Sequence, residues 1–157
     1  MMPEQWPGGP EEDAPAGISF HHEDVAFLPD SPSLLERWVE AVIEKENCTL
    51  QELTYIFCSD EYLYQVNLEY LSHDTYTDII TFPYQPPPVV YSDIFISIDR
   101  VQENAAELGL PFEQELHRVM IHGVLHLCGY PDKTPAEAAA MRQKEDEALA
   151  LLARLQQ

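Results

Sequence analysis

From Leu116 to Gly129 the chain reads Leu-His-Arg-Val-Met-Ile-His-Gly-Val-Leu-His-Leu-Cys-Gly, a run whose second half is apolar almost all round. A helix of that composition is buried at the centre of a domain rather than laid on its surface, so the other elements must be arranged around it. Pro111 marks its first turn, and Gly129 can end it in the left-handed conformation that turns the chain back. Within it stand His122 and His126. Residues four apart on a helix differ by about 40° around the axis, so the two imidazoles share one face, one turn apart, within reach of a single ion.

Burying two imidazoles without partners costs on the order of several kcal/mol. Two arrangements remove that cost: a shared metal ion, or a histidine pair satisfied by backbone and acidic groups. Zinc in a hydrolase takes three protein ligands and keeps a fourth position for water. Cys128 lies about 200° around the helix from His126 and would face away. Asp132, three residues past the Gly129 turn, carries a carboxylate that zinc accepts. The pattern His122-x3-His126-x2-Gly129-x2-Asp132 therefore names His122, His126 and Asp132 as metal ligands and catalytic candidates around one Zn2+ per chain. By ligand type, nickel or iron fits almost equally well. A protease-type zinc helix has glutamate just after its first histidine, and here that residue is Gly123, which disfavours peptide hydrolysis.

The surrounding pattern alternates strand and helix. Ile18–His22 is a short strand candidate, whose adjacent His21 and His22 would point to opposite faces and read as surface residues. Ser31-Pro32 opens a helix with Leu35, Trp38, Val39, Val42 and Ile43 at helical spacing. Thr49–Cys58 alternates as a strand, and Ser59-Asp60 caps a helix through Leu63 and Val66. Asp78–Phe82 is a strand stopped by Pro83, Gln85–Val90 a proline-rich loop, and Asp93–Ile98 a strand with Ile94, Ile96 and Ile98 on one face. Asp99 is expected to cap a helix ending at Gly109. Thr134-Pro135-Ala136-Glu137 caps a last amphipathic helix carrying Met141, Leu149, Leu152 and Leu155. The expected fold is α/β (α+β): a small mixed four-stranded sheet packed with about five helices, the zinc site on the central one.

Eight Lys and Arg stand against 28 Asp and Glu, a net charge of -20. That balance opposes any broad attraction to nucleic acid or an anionic membrane, so a polyanionic substrate must be captured locally. Cys48, Cys58 and Cys128 are an odd number with no close pair in sequence, as expected of reduced thiols in a cytoplasmic protein. No apolar run is long enough to cross a bilayer. Residues 1–17, rich in proline, glycine and acid, are read as a disordered extension, and residues 18–157 as a single domain.

The segment His-Gly-Val-Leu-His-Leu-Cys-Gly-Tyr resembles the signature of the YbeY family of ribosomal RNA maturation endoribonucleases. The resemblance extends, in order, through Asn67-x-x-Tyr70, Asp74, Thr77-Asp78-Ile-Ile-Thr81-Phe82-Pro83 and Ser92-Asp93-Ile94, and covers roughly residues 18–155. It implies a single-strand-specific, zinc-dependent endoribonuclease acting at the 3′ end of small-subunit rRNA and in ribosome quality control, with ribosomal RNA and the small subunit as partners. Two positions differ from the family pattern. The third ligand is usually histidine where this chain has Asp132, and an arginine implied to serve RNA or catalysis is here Leu71. Arg118, one turn before His122, and Lys133 are candidate phosphate contacts in its place; for Arg118, pairing with Glu115 or another acid is the equal alternative. Two rival functions stand beside this one: a non-catalytic zinc-containing ribosome assembly factor, and a zinc hydrolase of other substrates.

Overall fold

The computed structural model describes residues 17–157, and the proposed extension falls outside them except for Gly17. Nine elements follow in order: β1 Gly17–His22, α1 Pro32–Lys45, β2 Thr49–Cys58, α2 Asp60–Leu71, β3 Ile79–Pro83, β4 Val89–Ser97, α3 Ile98–Leu108, α4 Phe112–Leu127 and α5 Pro135–Leu155. The four strands form one mixed sheet in the order β1-β2-β4-β3. β1 pairs parallel to β2 and β2 parallel to β4, while β3 runs antiparallel to β4. The expected architecture is the observed one.

Strand alternation divides the core. Leu53, Tyr55 and Phe57 of β2, with Ile94 and Ile96 of β4, face the layer that contains α1, α4 and α5. Ile56 and Cys58 of β2, with Phe95 of β4, face the other way, onto Leu63 and Val66 of α2. With both faces covered, the central strands bury every residue near their carboxyl ends, as parallel strands under helices do.

Three local expectations are corrected. β4 starts at Val89 rather than Asp93, because Val89 pairs with Thr49 and the Thr49 N–H donates to Pro88 O at 2.9 Å. The prolines before it hide a strand start that needs only a partner. Ile98 is the first residue of α3, not the last of the strand, and Ser97 caps that helix: its Oγ accepts from the Arg100 N–H at 3.1 Å. Asp99 instead accepts from the Asp60 N–H, at 2.9 Å, tying α3 to the start of α2. Ser31 does occupy the cap of α1, but in a left-handed conformation with no side-chain cap bond. The capping box of Thr134 and Glu137 is present at α5.

α4 lies across β3 and β4, with Val119, Met120, Ile121, Val124 and Leu125 buried. The Tyr55 hydroxyl donates to Met120 O at 3.0 Å, anchoring the helix to the sheet two residues before His122. Gly123 makes this approach possible. A Cβ there would stand 2.9 Å from Ile79 Cδ1 and 3.1 Å from Ile94 Cδ1, so any larger residue at this position must push those side-chain ends aside. Gly123→Ala sets about 1 kcal/mol of helix propensity gained against overpacking of Ile79 and Ile94, and is expected to change stability by less than about 1 kcal/mol, read as a denaturant midpoint shifted little at unchanged slope.

Candidate metal centre

The end of α4 builds the site. Gly129 adopts φ 107°, its N–H donates to His126 O, and the Tyr130 N–H donates to Leu125 O, the two bonds of a Schellman turn. This turn reverses the chain and carries Asp132 back over the helix face that presents His122 and His126. The Tyr130 hydroxyl donates to Glu46 at 2.6 Å, and Lys144 pairs with the same carboxylate at 3.3 Å, so the turn is clamped to the end of α1 and the middle of α5. Ligand atoms of His122, His126 and Asp132 all lie within 4.8 Å of one another, the only such group of three or more among the described residues. His21 and His22 take no part.

Hydrogen bonds fix which nitrogen of each ring faces the centre. His126 Nδ1 stands 2.8 Å from Tyr130 O, which can only accept, so Nδ1 carries the proton. His122 Nδ1 stands 2.6 Å from Glu145 Oε2 and donates likewise. On the neutral rings each Nε2 is then left with a lone pair, and each stands close to Asp132 Oδ2, 3.4 Å for His122 and 3.3 Å for His126. With both rings neutral three acceptors converge, an arrangement that needs a cation among them, either a metal ion or a proton on an imidazole that then donates to Asp132. Tetrahedral donors bound at about 2.0–2.2 Å to zinc are separated from one another by about 3.3–3.6 Å. The donor set and its spacing therefore fit a metal ion.

Behind the ligands is a support that sequence spacing did not reveal. Glu145 of α5 is 5 % exposed, and its second oxygen accepts from Arg118 at 2.9 Å. Burial pushes its carboxyl up, but the bonds and charges of His122 and Arg118 outweigh that and hold it below the usual range. Burial lowers the His122 pKa, and Glu145, Asp132 and Asp78 overcome this to raise it. Arg118 spends its other Nη on Asp146 at 2.8 Å, so it pairs with acids other than Glu115 and orders Glu145. Lys133 is exposed; its backbone N–H donates to Glu137 at 3.0 Å. Cys128 sits by Cys48, away from the ligands, as its angle on the helix requires.

In front of the centre lies a cleft of about 350 Å³, lined by His122, His126, Asn67, Leu71, Thr77 and Thr81 among others, with no lysine or arginine in its wall. Asn67, 3 % exposed, donates to Thr75 O at 2.9 Å and so shapes the segment over the cleft.

A family model described as "Endoribonuclease YbeY" matches residues 18–153. The chain belongs to the YbeY endoribonuclease family. Curated relatives agree. The Endoribonuclease YbeY of Flavobacterium psychrophilum is 51% identical over 134 residues, covering 85% of this chain and 95% of that one. The Endoribonuclease YbeY of Porphyromonas gingivalis strain ATCC 33277 is 44% identical over 137 residues, covering 87% and 91%. The solution structure of TM1509 from Thermotoga maritima superposes with a TM-score of 0.63 at 28% identity, covering 86% of this chain and 88% of that one. Membership of the YbeY family places the chain among hydrolytic nucleases. Among the described residues no helix is long and apolar enough to cross a membrane.

Proposed function

We propose that this chain is a zinc-dependent, single-strand-specific endoribonuclease of the cytoplasm, acting on ribosomal RNA of the small subunit at its 3′ end and in ribosome quality control. The observation that carries the reading is the convergence of His122, His126 and Asp132 ligand atoms, with the two imidazoles lining a solvent-facing cleft, in a member of the YbeY family. His122, His126 and Asp132 would hold the ion, which when bound supplies Lewis acidity to a phosphodiester.

The protein's own groups prepare that site. Glu145 keeps the proton on His122 Nδ1, Arg118 keeps Glu145 ionised, and the Tyr130 carbonyl keeps the proton on His126 Nδ1. Each ring is thereby held in one orientation, with Nε2 facing the centre. Glu145→Gln breaks this chain of donors, because an amide offers a donor where both neighbours already donate. It is expected to weaken zinc binding about 10–100-fold, measured by competition with a chromophoric chelator, while the fold persists.

No carboxylate base stands beside the first histidine, where Gly123 packs against Ile79 and Ile94. This disfavours the peptidase-type reading. One observation favours the assembly-factor reading: Leu71, 38 % exposed, lines a cleft without a cationic side chain. Zinc-loaded protein incubated with precursor small-subunit rRNA separates the two. Cleavage at single-stranded positions, absent when the same segment is annealed into a duplex, is expected. Binding of the small subunit without cleavage would replace the nuclease reading by the assembly one.

A further inference from the structure

A second cleft, of about 220 Å³, lies on the other side of His122, between the start of β3, α4 and α5. Asp78, Glu115 and Arg142 line it, and it shares Ile79 and His122 with the cleft in front of the ligands. Glu115 is 6 % exposed, and its Oε1 is the one buried side-chain oxygen or nitrogen among the described residues that receives no hydrogen bond. Native interiors rarely leave such an atom unpaired, so a carboxylate of the cleft lining whose buried Oε1 is bare asks for a donor that reaches it once Glu115 turns into the cleft. Arg118, the buried cation nearby, has both Nη atoms committed to Glu145 and Asp146. Arg142 is mostly exposed and stands 3.8 Å from Glu145, a loose contact that leaves it able to move.

We propose that this cleft, through Glu115 at its wall and Arg142 at its rim, binds a guanine base. The ligand must bring N–H donors to a carboxylate floor and an acceptor to a guanidinium at the edge. A metal ion is not indicated, because the described residues gather three close ligating groups only at His122, His126 and Asp132. Among nucleobases, guanine alone presents two adjacent N–H donors, N1–H and N2–H, next to a carbonyl oxygen. Adenine and cytosine set a bare ring nitrogen beside their amine, and uracil has a single N–H between two carbonyls. Unpaired bases in single strands are read in this way, by hydrogen bonds to the Watson–Crick edge. Burial and Asp78 push the Glu115 carboxyl above its ordinary range against the pull of Arg118 and Arg142, and paired N–H donors would offset that same desolvation.

Guanine could arrive in the substrate strand or as a free nucleotide. Since the two clefts share Ile79 and His122 as lining, we assign the base to the nucleotide flanking the cleaved bond. That assignment rests on the endoribonuclease reading. The first test does not: calorimetric binding of GMP, AMP, CMP and UMP to the full-length protein, zinc-loaded and as His126→Ala. GMP is expected to bind at least tenfold tighter than the others in both forms, and Glu115→Gln and, at the exposed rim, Arg142→Ala are each expected to erase that preference. Equal binding of the four nucleotides, or a preference untouched in both variants, overturns the pocket. The second test compares kcat/KM on single-stranded RNAs differing only in the nucleotide beside the scissile bond. A preference for guanine that falls at least tenfold in Glu115→Gln supports the assignment; GMP selectivity with no guanine effect on cleavage overturns it in favour of a free nucleotide. GMP selectivity in a protein that cleaves no RNA would instead sink the nuclease reading and leave the pocket standing.

Discussion

His126→Ala is expected to lower kcat/KM for RNA cleavage by at least about 10³-fold, roughly 4 kcal/mol of transition-state stabilisation, while the chain stays folded. The size follows from the number of ligands. With three protein donors, removal of one leaves a two-point site whose remaining lone pairs no longer enclose an ion. The fold is spared because His126 lies at the carboxyl end of α4, a third exposed, and its bond to the Tyr130 carbonyl is one of several that hold the turn. The variant should also match chelated wild type in thermal stability. A variant that loses activity but keeps one equivalent of metal would show that the imidazole acts otherwise than as a ligand.

The second large effect is one of stability. Trp38→Ala is expected to destabilise the protein by about 4 kcal/mol and to lower Tm by about 10 °C. Trp38 is fully buried in α1, its ring edge-on to His117 at 5.9 Å, and its indole N–H donates to Ala148 O of α5 at 2.7 Å. The loss therefore combines a cavity with a bond between the two helices that flank α4. Ala148 is one turn from Glu145, so loosening α5 there also loosens the carboxylate that orients His122. Trp38→Phe keeps most of the volume and should lose only about 1 kcal/mol. If the alanine variant changes the midpoint by less than that, the α1–α5 contact does not hold the core.

How far the site could be read from sequence depends on distance along the chain. His122 and His126 share a helix, and Asp132 follows one glycine turn, so fixed helical geometry places all three. The same geometry sends Cys128 the other way. Glu145 escapes such reasoning because α5 meets α4 only in the folded chain. Its one local sign is a carboxylate inside the stripe Met141, Glu145, Ala148, Leu152, where an apolar residue belongs. Arg118 had two equal readings from its position, and its two acid partners lie on α5, out of reach of local reasoning. The sheet was legible as a set of strands but not in order: nothing in Ile79–Pro83 says that it pairs antiparallel to β4 at the edge, and that pairing forms the far wall of both clefts.

Everything in the functional account depends on a metal between Nε2 of His122, Nε2 of His126 and Asp132. The direct measurement is the metal content of the purified chain by plasma mass spectrometry, with thermal unfolding before and after chelation. One equivalent of zinc per chain is predicted, removed by chelator with a fall in Tm and restored on adding zinc, since binding to the folded state alone adds to its stability. A chain that retains no stoichiometric transition metal, and whose Tm is the same with and without chelator, would contradict it.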